Sequence, residues 1–113
     1  MNKLYKIAVY LLIMLGIIHL GFTPFIYKTF NADALLFCGT GLTYTFMGLY
    51  NLSTLKVNIK SLSRIAVALN VMGTIFTIAI TYILREPQAY AAMFLVTTIL
   101  AFSILSVKGL IKK

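Results

Sequence analysis

The sequence predicts an all-α protein, an antiparallel bundle of four transmembrane helices, on three observations. First, 61% of its 113 residues are hydrophobic and only ten Lys or Arg and two Asp or Glu are present, which is too apolar for a soluble domain of this size. Second, residues 7–27, 34–52, 65–84 and 88–107 carry no charge, and each run is close to the ~20 residues that cross a ~30 Å hydrocarbon core at ~1.5 Å per residue. Third, the basic residues are distributed asymmetrically. Lys3 and Lys6 precede the first run, Lys56, Lys60 and Arg64 separate the second from the third, and Lys108, Lys112 and Lys113 follow the fourth. Lys28 and Arg85 lie on the other side, together with both acids, Asp33 and Glu86. Such a bias in short loops predicts a multi-pass protein of the cell (cytoplasmic) membrane with both termini and the central connection in the cytoplasm. The net charge of +8 is thus a topology signal that turns a basic face toward anionic headgroups, and it implies no nucleic-acid partner. Residues 1–113 read as one domain, without an internal repeat, low-complexity tail or linker.

The first run, preceded by Lys3 and Lys6, superficially resembles a signal peptide, and Ala32-Asp33-Ala34 has a small-x-small form. The run exceeds the usual 7 to 15 residues and the site lies well beyond its end, so we read a retained span. Leu12, Gly16, His19 and Thr23 recur on one stripe of it, which is expected to face the bundle. Pro24 falls near the outer end, where a lost backbone hydrogen bond costs least. Tyr27 and Lys28 mark the outer interface, and Tyr5 and Lys6 the inner one.

The second span is the organising one. Gly41, Tyr44, Gly48 and Asn51 fall on one side at helical spacing, whereas Leu42, Phe46 and Leu49 fall largely on others. Asn31 or Asp33 can cap its start, and residues 55–64 form the central connection. The third span repeats Ala66, Asn70, Gly73, Thr74, Thr77 and Thr81 at three and four residues, a small and polar stripe along almost its whole length. Arg85-Glu86-Pro87 makes the second outer turn, with Pro87 at the first helical position. A weaker stripe on the fourth span takes in Tyr90 or Ala91, Phe94, Thr97, Thr98 and Ala101. Short turns force each pair into an antiparallel hairpin, with the second and third helices central.

Gly39, Gly41, Gly48 and Gly73 are read as helix-packing positions, because packing and interhelical hydrogen bonds replace the hydrophobic drive inside lipid. His19 is an ionisable side chain at membrane depth, about 12 Å below the outer boundary at ~1.5 Å per residue, and needs a partner. Side chains lean toward their helix N-terminus, so His19 and Tyr44 converge from antiparallel helices. A hydrogen bond between them, joined by Thr74 or Thr77, is expected as an intramembrane polar cluster. Asn51 and Asn70 are expected to clamp the second and third spans through their amides. The first cluster reads as structural, as a proton relay or as a small ligand site.

No catalytic residue, cofactor site or metal site is assigned. The spans hold no Asp or Glu, so the carboxylate that drives proton-coupled export in small multidrug resistance transporters is missing. One cysteine, Cys38, excludes a Cys-x-x-Cys or mercury-transport thiol pair within one chain. One histidine excludes bis-histidine haem or a His-rich metal site unless subunits share ligands. No acid at membrane depth is left for a Ser-His-Asp arrangement.

His19-Leu-Gly-Phe-Thr-Pro24, Ala34-Leu-Leu-Phe-x-Gly-x-Gly-Leu42 and Gly48-Leu-Tyr-Asn-Leu52 resemble a family of small, uncharacterised bacterial four-span integral membrane proteins, over residues 10 to 55. The resemblance implies a bacterial cytoplasmic-membrane protein, puts His19, Phe37, Gly39, Gly41, Gly48 and Asn51 forward as motif positions, and transfers no activity. The chain is expected to be non-enzymatic and to bind or assemble with a lipid, a quinone-like hydrophobic small molecule, a further copy of itself or another membrane protein. The alternative is a small transporter or channel with a polar path lined by Thr74, Thr77 and Thr81.

Overall fold

Four α-helices and no strand make up the described residues, 3–57 and 59–109, of the computed structural model. They are α1 (Lys3–Ile26), α2 (Ala32–Lys56), α3 (Lys60–Leu84) and α4 (Pro87–Val107). Lys112 and Lys113, counted above with the basic residues, lie outside the described residues. Three of the helices, α1, α3 and α4, are long and apolar enough to cross a membrane, which marks the chain as a membrane protein. α2 does not reach that apolarity: Gly39, Thr40, Gly41, Thr43, Tyr44 and Thr45 follow one another closely in it.

Helix ends fall where local chemistry puts them. The Asn31 side chain accepts from the Ala34 N–H at 2.9 Å and caps α2, and Asp33 sits in the first turn, where a negative charge suits the helix dipole. Arg85 ends α3 in the left-handed region (φ 51°), its N–H donating to the Thr81 carbonyl at 2.9 Å. Two residues later Pro87 opens α4, at a position whose N–H would have no intrahelical partner. The expected ten-residue connection over 55–64 is a correction. α2 runs to Lys56 and α3 begins at Lys60, because Lys, Ser and Leu are adequate helix formers and neither 53–56 nor 60–64 holds a helix-breaking Gly or Pro.

Packing goes round a ring. α1 lies against α2 and α4, and α3 against α2 and α4, with no close backbone approach across either diagonal among the described residues. The expectation that α2 and α3 are central is therefore corrected: every helix has two neighbours. The interfaces are unequal, α1 with α2 and α3 with α4 being the extensive ones. The core holds Tyr5, Ala8, Val9, Leu12, Tyr44, Met47, Ala92, Val96 and Ile99. Leu35, Leu36, Phe46, Met72, Ile75, Ile83 and Phe94 are turned outward, as expected where the solvent is hydrocarbon and apolar side chains gain little by leaving it.

The expected α4 stripe is also corrected. Ala89, Ala92, Val96, Ile99 and Ser103 face inward, while Phe94 is 71% exposed and Tyr90, Ala91, Thr97 and Ala101 are exposed as well. The Thr98 hydroxyl donates to the Phe94 carbonyl of its own helix at 2.8 Å. A threonine satisfied in this way has no need of the bundle interior, so its presence does not mark the packing face.

Candidate functional site

Two polar clusters lie within the bundle. The first is built on Asn51 and Asn70, both fully buried. Their amides pair face to face, the Asn51 Nδ2 donating to the Asn70 Oδ1 at 2.7 Å and the Asn70 Nδ2 to the Asn51 Oδ1 at 2.9 Å. Each amide has a second proton, and each proton is used. The Asn51 Nδ2 also donates to the Met47 carbonyl at 2.8 Å, and the Asn70 Nδ2 to the Ser103 Oγ at 2.9 Å. The Asn51 Oδ1 takes a further bond from the Tyr5 hydroxyl at 2.9 Å. One network thus joins Tyr5 of α1, Asn51 of α2, Asn70 of α3 and Ser103 of α4. Thr54 and Thr74 border it, donating to the Asn51 and Asn70 backbone carbonyls at 2.8 and 2.7 Å. A network with every donor engaged rigidifies its surroundings.

The second cluster depends on a close approach of α1 to α2. A Cβ added at Gly16 would stand 2.7 Å from the Gly41 carbonyl oxygen, and one at Gly41 would stand 2.8 Å from both the Gly16 carbonyl oxygen and the His19 Cβ. Only glycine permits backbones this near. The seam presses His19 against α2, where its ring stacks on Phe37 (centroids 4.6 Å, planes 25° apart) and meets Tyr44 edge-on (6.2 Å, 89°). Tyr27 closes on Phe37 from the α1–α2 turn at 5.7 Å. The His19 Nδ1 is 2.9 Å from the Leu15 carbonyl oxygen one turn back. A carbonyl only accepts, so that bond puts the proton on Nδ1 and leaves Nε2 of a neutral ring as a bare acceptor.

Among the described residues Nε2 has no hydrogen-bond partner, although His19 is only 8% exposed. No fully buried side-chain nitrogen or oxygen lacks a partner there, so Nε2 must reach the molecular surface. The other buried polar side chains are engaged: Thr23 donates to the His19 carbonyl at 2.7 Å, Thr77 to Gly73 at 2.7 Å and Thr81 to Thr77 at 2.8 Å.

The expected His19–Tyr44 hydrogen bond is not present. The Tyr44 hydroxyl reaches across to the Thr77 Oγ1 of α3 at 3.0 Å, and the imidazole takes the carbonyl on its own helix. Thr74 belongs to the asparagine cluster, through Asn70. Gly41 and Gly48 meet α1, and Gly73 meets Met47. Gly39 is the correction in that group: a Cβ there would have nothing within 4 Å, because Gly39 faces away from the seam that Gly41 lines. Tyr5 is corrected too, since it is 1% exposed and stacked on Phe102 at 5.8 Å instead of lying in an interfacial belt. The role of Tyr5 was nonetheless readable, because the stripe of Gly16 and Leu12 continues through Val9 and Ala8 to Tyr5. Ser103 had no comparable signal.

No group of three or more His, Cys, Asp or Glu able to hold a metal ion occurs among the described residues. Neither the family models, the curated proteins nor the solved structures yield a match to this chain.

Proposed function

We propose that the chain crosses the bacterial cytoplasmic membrane four times as an antiparallel bundle, with both termini in the cytoplasm, and acts without catalysis by binding a lipid-like molecule at His19. Antiparallel pairing is supported by the contacts, since the α2 partners fall from Asn51 to Phe37 as the α1 residues rise from Tyr5 to His19. A crossing by α2 is supported by how it hides its polarity. Thr40, Thr43, Thr45 and Ser53 each donate to the carbonyl four residues back, which lowers the cost of a hydroxyl in lipid. The described basic residues Lys3, Lys6, Lys56, Lys60, Arg64 and Lys108 flank the same helix ends, in keeping with the charge-bias rule. The motifs beginning at His19, Ala34 and Gly48 are the reason for placing it in bacteria.

The single observation that carries the binding reading is the His19 Nε2: a polar atom at the edge of a bundle in which, among the described residues, the other buried polar side chains are all satisfied. An intramembrane ionisable group kept in that state favours a ligand. A transport path along α3 is less well supported, because Thr74, Thr77 and Thr81 are buried and donate to their own helix. The test is native mass spectrometry of the protein released from nanodiscs, wild type against His19→Leu. A small amphiphile retained by the wild type and missing from the variant is expected. Identical spectra would overturn the reading.

A further inference from the structure

Resting on that reading, we infer that the His19 site selects by hydrogen-bond polarity, taking an amphiphile whose head donates a hydroxyl proton, such as a phenol, a hydroquinone or a long-chain alcohol, and rejecting the corresponding carbonyl or ether. The Nδ1 bond to the Leu15 carbonyl oxygen fixes the tautomer, and Nε2 therefore offers a lone pair and no proton. A quinone or ester carbonyl brought to Nε2 would set two lone pairs against each other. A hydroxyl completes the bond that the protein leaves open.

Depth narrows the class further. His19 lies seven residues before the last residue of α1, about 10 Å along the helix axis at ~1.5 Å per residue. A phospholipid headgroup stays at the interface and does not reach so far, whereas a ring or chain hydroxyl carried on an apolar body does. Phe37, stacked on the imidazole and itself only half-buried, offers an aromatic surface that suits a flat ring, since aromatic pairs stack or meet edge to face.

Because His19 is the only histidine, its two ring nitrogens are the only imidazole signals in a nitrogen-15 spectrum of the full-length protein labelled at histidine in nanodiscs. Without added ligand, the spectrum is expected to show one protonated nitrogen assigned to Nδ1 and one unprotonated nitrogen assigned to Nε2. Titration with 4-nonylphenol is expected to move the Nε2 signal saturably. 4-Nonylanisole and a nonyl-substituted benzoquinone, which have no proton to donate, should bind at least about tenfold more weakly, as a site built to accept from a hydroxyl rejects analogues that lack one. A proton found on Nε2, a quinone that competes as well as the phenol, or a phenol that gives no saturable shift would each overturn the inference. These outcomes are separable from failure of the binding reading. A native molecule lost on His19→Leu while Nε2 carries the proton leaves binding intact and removes the polarity rule.

Discussion

The asparagine cluster and the histidine seam are both polar features in an apolar bundle, yet they are finished differently. At Asn51 and Asn70 all four amide protons are donated, and the bonds tie four helices together. At His19 the one ring proton returns to its own helix, and the second nitrogen reaches the surface unpartnered. The first arrangement has no capacity left for a ligand and reads as architecture. The second contributes little to architecture and has one acceptor to spare. Completeness of hydrogen bonding separates the two more sharply than burial does, since Asn70 and His19 are both buried.

The contrast predicts the largest loss of stability for Asn70→Leu. The substitution removes the bonds to Asn51 and Ser103 and leaves one Asn51 Nδ2 proton without its acceptor in a dry interior, while Met47 and Tyr5 still engage the rest of that amide. At ~0.5–2 kcal/mol per intramembrane hydrogen bond, plus the cost of an unsatisfied group, we expect a loss of ~2–4 kcal/mol. Reversible unfolding by steric trapping in bicelles measures it. A loss below 0.5 kcal/mol, the low end for one such bond, would show that the amide network is dispensable.

Gly41→Ala comes next. The new methyl would stand 2.8 Å from the Gly16 carbonyl oxygen and from the His19 Cβ. The first is backbone and cannot swing aside, so α1 and α2 must part, for an overpacking cost of ~1–3 kcal/mol. The same separation unstacks His19 from Phe37, and the variant should also release whatever the wild type carries. Unchanged stability with unchanged cargo would refute the close approach.

The sequence showed the buried face of three helices and not of the fourth, for a physical reason. Stripes on α1, α2 and α3 contain residues that force the issue: Gly16 and Gly41, where backbones touch, and Asn51 and Asn70, whose amides cannot be satisfied within one helix. α4 has no such residue on its inner face, since the Ser103 hydroxyl donates to the Leu100 carbonyl of its own helix. Ala89, Ala92, Val96 and Ile99 are as comfortable in lipid as in protein, so hydropathy does not sort them. Its threonines misled because a hydroxyl can close on the preceding turn, as Thr98 does. The same habit explains the mispaired histidine: an imidazole one turn from a carbonyl has a partner without crossing to Tyr44. Convergence of His19 with Tyr44 was legible as proximity, but which atoms would bond was not.

A smaller effect is expected of His19→Leu on stability. Its Nδ1 partner, the Leu15 carbonyl, belongs to the helix ladder and is not orphaned when the ring is removed. What disappears is the stacking on Phe37, worth ~0.5–1.5 kcal/mol, and the desolvation cost of a polar ring in lipid disappears with it. A net change within ~1 kcal/mol follows, measured in the same unfolding assay. A loss as large as that of Asn70→Leu would place His19 with the structural cluster and erase the distinction.

The smallest change should come from Gly39→Ala, and its sign is informative. Gly39 and Gly41 are two residues apart on α2, which puts them on different faces of the helix. An added Cβ at Gly39 meets nothing within 4 Å, so no steric cost opposes the substitution. Alanine loses less backbone entropy than glycine on entering a helix, and a gain of ~0.5–1 kcal/mol is expected where the backbone is already helical. Gly39→Ala and Gly41→Ala therefore differ in sign although they make the same chemical change two residues apart. Measured side by side in the bicelle assay, equal losses at both positions would mean that α2 presents another face to α1, and the seam that holds His19 against Phe37 would have to be redrawn.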